Sequence, residues 1–137
     1  MRVIDNIIQN VVKAIEALYS QELSIQQIQI QKTKKEFEGD LTLVVFPLLK
    51  VTRKSPEQSA EEIGKWLLGN SDIANSYNVV KGFLNLSIKD EIWLDQFNVW
   101  ARDENFGKST SSTGKTFMVE YSSPNTNKPL HLGHLRN

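Results

Sequence analysis

Apolar residues along the first part of the chain recur at helical spacing. Residues 3–19 place Ile4, Ile7, Ile8, Val11, Val12, Ile15 and Leu18 on one wide stripe, which predicts an amphipathic helix. The period then drops to two. In "SIQQIQIQKT", Ile28 and Ile30 alternate with glutamines, the pattern of a half-buried strand. "KKEFEGD" is a charged turn carrying Gly39 and Asp40. "LTLVVF" after it is either a second strand or a strand passing into a helix, since Pro47 limits any strand there.

Helix punctuation returns at Ser55-Pro56-Glu57-Gln58. Ser55 can cap, Pro56 suits the first helical position, and Gln58 stands where a capping box needs it. The helix "PEQSAEEIGKWLLG" is expected to stop at Gly69-Asn70. "YNVV", Lys81-Gly82 and "FLNLSI" form a β-hairpin pattern. "DEIWLDQFNVWARDE" predicts a further helix with Asp90 as its cap and Ile92, Trp93, Phe97 and Trp100 available for one face. These elements predict an α+β domain over residues 1–105, with helices packed on a small, mainly antiparallel sheet.

The pattern then breaks. "NFGKSTSSTGKT" offers almost nothing to bury, so residues 106–115 are expected to be a linker. Beyond it, residues 116–137 give a short strand candidate, "FMVEYS", a Pro/Asn loop, and "LHLGHLRN" as the first turn of a helix.

Composition narrows the classes. The chain has 137 residues, no cysteine and a formal net charge of zero. The first figure allows one domain with a real core, and the second excludes a disulfide framework and thiolate metal sites. A reducing, cytoplasmic setting fits. The longest apolar run, Leu41 to Leu49, is interrupted by Thr42 and Pro47 and is far too short to span a bilayer. The polar residues in "MRVIDNIIQN" exclude a signal peptide, so no membrane partner is expected. Zero net charge argues against a protein that simply coats nucleic acid. The charge is uneven, however. Residues 115–137 carry Lys115, Lys128 and Arg136 against Glu120 alone, so the basic end is also the end with the histidines.

His131 and His134 lie three apart, on one face of the expected helix start, and can address a single ligand. A helix N-terminus attracts phosphate, and Gly133 between the histidines permits close approach to the backbone. At the end of a strand, this is where open α/β sheets hold nucleotides. Four residues alone are weak evidence, because a surface helix supplies HxGH by chance. No third ligand stands nearby, so no metal site is expected.

The longer run is more specific. "VEYSSPNTNKPLHLGHLRN" resembles the opening of the catalytic domain of the arginyl-tRNA synthetases, with "HLGH" where class I enzymes carry their HIGH signature. "FEGDLTLVVFPLLK" and "KGFLNLSI" are similar to the N-terminal additional domain of that family. The resemblance implies a class I, Rossmann-type catalytic domain that activates L-arginine with ATP and Mg2+ and transfers it to tRNA(Arg). It implies that His131 and His134 bind the phosphates and act in catalysis, that Gly133 admits the nucleotide, and that Lys128 substitutes for the class's second lysine signature. Ser123, Pro124 and Asn125, with Glu120 at the strand end and His134, would form the arginine site. Lys32, Lys34 and Lys35 would contact the tRNA near its D-loop. A monomer is expected. A Rossmann domain needs several more βα units than residues 116–137 can supply, so the chain is expected to be the N-terminal piece of the enzyme and inactive alone. The alternatives are a stand-alone tRNA-binding module, or another HxGH nucleotidyltransferase, which would begin its catalytic fold near residue 1.

Overall fold

The computed structural model describes residues 2–109, 111, 114–119 and 124–133. Two compact units emerge, Met1–Phe106 and Gly107–Asn137.

In the first unit, helix α1 (Val3–Tyr19) is followed by a 3-10 turn (Ile25–Gln27) and strands β1 (Gln29–Lys32) and β2 (Leu41–Val44). A second 3-10 turn (Phe46–Leu48) runs into the short helix α2 (Leu49–Thr52), which resolves "LTLVVF" as a strand passing into helix at Pro47. Helix α3 (Pro56–Asn70), strands β3 (Ala74–Val80) and β4 (Phe83–Ile88), and helix α4 (Asp90–Arg102) complete it. The sheet order is β1-β2-β4-β3, antiparallel throughout, as the α+β expectation requires.

Alternation along the strands gives the sheet two different faces. Ile30, Leu43, Leu84 and Val79 form one cross-strand row and meet the helices. Against them α1 buries Ile7, Val11, Ala14 and Ile15 completely, while Ile4 and Leu18 remain exposed, so its buried stripe is narrower than the sequence pattern. Helix α3 contributes Ala60, Ile63 and Leu67. Its Gly64 lies so close to the sheet that a Cβ there would fall 2.6 Å from the Tyr77 ring and 2.9 Å from Leu84. The cap is formed as expected, with Gln58 N donating to Ser55 Oγ at 3.2 Å. Tyr19 donates to Glu62 at 2.6 Å and ties α1 to α3. The Lys54 ammonium, then the Tyr19 hydroxyl, hold the Glu62 carboxyl below its usual range.

The hairpin closes on the two residues Lys81 and Gly82, between the paired Val80 and Phe83. Both have positive φ, 49° and 75°, the backbone that a right-twisted two-residue turn demands.

Three expectations need correction. The N-cap of α4 is Lys89, not Asp90, which instead lies in the first turn with Glu91, where the helix dipole favours acids. Of the apolar residues of α4 named above, Ile92 alone packs against the core, while Trp93, Phe97 and Trp100 stay exposed; the buried side chain of the helix is Gln96, accepting from Val3 N at 3.1 Å. The strand expected over "FMVEYS" is not formed at residues 116–119. Phe117, Met118 and Val119 are exposed there, and a strand lacking a pairing partner has nothing to hold it extended. Residues 120–122 lie outside the described residues. Among the described residues, no helix is long and apolar enough to cross a membrane.

Candidate functional site

The sheet face turned away from the helices is polar and carries a hydrogen-bonded chain. Thr42 Oγ1 donates to Asn85 Oδ1 at 2.6 Å. Its only proton is thereby used, so Thr33 Oγ1 must be the donor in the 3.0 Å contact with Thr42. Asn85 Nδ2 donates to Asn78 Oδ1 at 2.8 Å, and Asn78 Nδ2 donates to the Glu38 carbonyl at 2.8 Å. The last bond fastens the loop between β1 and β2 down onto the sheet. Gly39, at φ 119°, lets that loop approach closely, since a Cβ there would meet Asn85 Cβ at 3.1 Å.

The pinned loop and the β3–β4 turn leave a groove of about 200 Å³ between them, lined by Gln31, Lys34, Phe37, Val80, Lys81, Phe83 and the buried Thr42 and Asn85. That volume is smaller than the ~300–1,000 Å³ of sites enclosing drug-sized ligands and fits one flat ring. Phe46 braces the Phe83 ring edge-on at 5.5 Å. Gly82 packs against Pro56 and Phe46, fixing the turn that carries Lys81. Two aromatic rings, two ammonium groups and an amide around one shallow groove can stack a base and neutralise its phosphate.

Of the three lysines singled out from sequence, the groove takes only Lys34. Lys32 is on the alternate face of β1, opposite Leu41, and Lys35 is exposed on the loop without lining the groove. Phe37, Lys81 and Asn85 carry no signal for this site in the sequence, and Phe83 reads there as a core residue of the hairpin, whereas its ring lines the groove. They come from three segments that only the sheet order brings together.

In the second unit, Glu120, Ser123 and His134 lie outside the described residues. Asn125 to Lys128 form a turn in which Lys128 N donates to the Asn125 carbonyl at 3.2 Å, and Pro124 precedes it, half-buried. Gly133 N donates to His131 Nδ1 at 3.1 Å. A Cβ at Gly133 would stand 2.9 Å from His131 Cε1, so the glycine makes room first for this imidazole. Residues 125–133 are exposed, with Leu130 and Leu132 facing solvent. The donors are present, but no wall among the described residues excludes water.

Two family models cover most of the chain. The model of the arginyl tRNA synthetase N terminal domain matches residues 5–88, which include the whole sheet and its groove. The chain belongs to the arginyl-tRNA synthetase family. The class I (R) tRNA synthetase catalytic domain matches residues 97–137, so the match to this second synthetase domain begins inside α4. The chain is 51% identical to an arginine–tRNA ligase of Bacteroides thetaiotaomicron over 138 aligned residues, covering all of this chain and 23% of the relative. It is 52% identical to that of Porphyromonas gingivalis, again over all of this chain and 23% of the relative. It thus spans about a quarter of the length of these curated synthetases. A solved Thermus thermophilus arginyl-tRNA synthetase shares the fold, with a TM-score of 0.54 at 23% identity over 97% of this chain and 21% of that one.

Proposed function

We propose that the chain is the N-terminal part of an arginine–tRNA ligase. Residues 1–105 would contact the tRNA, 106–115 would link, and 116–137 would open the catalytic domain. The observation that supports this most is the match at about half identity to arginine–tRNA ligases across all of this chain, the HLGH segment included.

In this reading the carboxylate of L-arginine attacks the α-phosphate of ATP and expels pyrophosphate. The aminoacyl group then passes to the terminal ribose of tRNA(Arg). His131 donates to a phosphate oxygen, and His134, three residues on, donates beside it. Removing one such donor typically costs about 2.7–4 kcal/mol of activation free energy. Lys128 adds a cation to the developing phosphate charge, and Gly133 keeps the histidine ring close to the helix start. Asn125 and Ser123 hold the amino and carboxylate groups of arginine, Pro124 sets their loop, and Glu120 offers a carboxylate to the arginine cation. ATP would bring Mg2+ with it, and the ion would offset charge on the phosphates. The protein works as a monomer in the cytoplasm.

The groove on the sheet receives an unstacked nucleotide of the tRNA, with Phe37 and Phe83 beside the base, Gln31 at its edge, and Lys34 and Lys81 on the phosphates. The exposure of residues 131–133 favours a binding role for these 137 residues alone and activity only for the longer protein.

Charging of purified tRNA by the full-length protein tests the reading. Arginine alone among the twenty amino acids should be attached, and the 137-residue chain should give background. Charging with another amino acid, or turnover by the short chain, would overturn it.

A further inference from the structure

Among the described residues, the non-glycine positions with positive φ are Ser20, Arg53 and Lys81. Glycine or asparagine is the ordinary occupant of such a position, because a longer side chain there crowds its own backbone. Arg53 and Lys81 are long cations instead, at φ 53° and 49°, and both are exposed. They belong to one corner of the fold. Arg53 ends α2, its N–H bonded to the Leu49 carbonyl at 2.9 Å, three residues before Pro56. Three residues span at most about 11 Å. A Cβ on Gly82, next to Lys81, would fall 2.6 Å from Pro56 Cβ and 3.1 Å from the Phe46 ring, so the β3–β4 turn rests on the segment that carries Arg53. That segment, "FPLLKVTRKSP", holds Lys50, Arg53 and Lys54 and no acid, in a chain of zero net charge. Lys54 is taken by Glu62, whereas Arg53 and Lys81 meet no carboxylate among the described residues. Backbone strain kept at two exposed, unpaired cations points to a use for their charge outside the protein.

We infer that Arg53 carries the phosphate contacts of the groove onward to the α2–α3 corner, gripping the tRNA backbone a few nucleotides from the base in the groove. Lys50, three residues earlier on α2, adds a second cation there. The inference rests on the proposed function, which puts Lys34 and Lys81 on phosphates at the groove itself. The strand then runs from Lys34 past Lys81, over the contact between Gly82 and Pro56, to Arg53. A guanidinium suits this end of the track, because its fork of donors holds a phosphate through two parallel hydrogen bonds. Such a contact reads no base. The corner fixes the direction of the strand, and the groove takes the nucleotide.

Binding of the full-length protein to purified tRNA(Arg), measured from about 50 to 200 mM salt, tests the inference. Arg53→Asn suits the positive φ and should not lower the melting temperature, so unfolding does not account for lost binding. It should reduce the slope of log affinity against log salt by about 0.7–1, which makes its loss of affinity roughly threefold larger at the low-salt end than at the high. Arg53→Lys keeps the charge and should keep the slope. A wild-type slope in Arg53→Asn overturns the inference, whether or not its affinity falls, because the lost charge then met no phosphate. An Arg53→Lys variant with the slope of Arg53→Asn overturns it too. Charging activity is read separately. A protein that charges arginine while its slope ignores Arg53 refutes the track alone, and one whose slope depends on Arg53 but which charges no arginine refutes the proposed function alone.

Discussion

Asn85→Asp changes one buried atom from donor to acceptor and should break the polar chain that pins the groove's loop. Asn85 is 2% exposed, accepting from Thr42 and donating to Asn78. An introduced carboxylate keeps the first bond but turns an oxygen toward Asn78 Oδ1. Rotating the Asn78 amide repairs that contact only by withdrawing Nδ2 from the Glu38 carbonyl. The first arrangement sets two acceptors against each other at about 1–3 kcal/mol; the second breaks only an exposed bond, but in both the charge is desolvated beside the sheet. A net loss of about 2–3 kcal/mol at pH 7 follows. The protonated carboxyl, by contrast, can donate to Asn78 as the amide did. The folded state therefore raises the pKa of the introduced group, and the destabilisation is absent below its unfolded value and grows as pH rises. Urea unfolding followed by tryptophan fluorescence should show midpoints close together near pH 4 and separated by about 1 M or more at pH 7. A gap independent of pH would refute the reasoning, because no titrating group would then be responsible.

Three further outcomes follow from the geometry. Gly64→Ala should lose about 1–2 kcal/mol despite alanine's better helix propensity, because its Cβ meets the Tyr77 ring at 2.6 Å; a raised melting temperature would contradict this. Lys81→Asn should gain about 0.5–1 kcal/mol, since asparagine tolerates the φ of 49° better, while weakening tRNA binding; a variant that gains stability without losing affinity would remove Lys81 from the groove's role. His131→Ala in the full-length protein should lower kcat by about two to three powers of ten, with little change in the KM for arginine, in steady-state charging assays. An unchanged kcat would exclude the phosphate role.

The sequence was most legible where local chemistry decides structure. Ser55-Pro56 sets a helix start by capping, Lys81-Gly82 sets a hairpin by positive φ, and Ile28 and Ile30 mark a strand by alternation. Apolar spacing failed in α4, because periodicity reports that a helix has an apolar face and not which body covers it. The same limit applies to Phe117–Val119, whose β-forming composition finds no pairing strand among the described residues. The candidate residues of the second unit stand out in the sequence as a contiguous motif, since Pro124, Asn125, Lys128, His131 and Gly133 all lie within ten positions. The groove was not. Lys34 stood out as one charge among three, but Phe37, Lys81, Phe83 and Asn85 become a site only when β4 is placed between β2 and β3.

The account depends most on the groove receiving a tRNA nucleotide, and Phe37 is the cleanest probe because its ring stands exposed on the loop at the groove's edge. Steady-state charging by the full-length protein, wild type and Phe37→Ala, separates the two kinetic constants. Loss of one base stack, about 1–3 kcal/mol, should raise the KM for tRNA by roughly five- to a hundredfold while kcat stays within about twofold. An unchanged KM for tRNA would contradict the account.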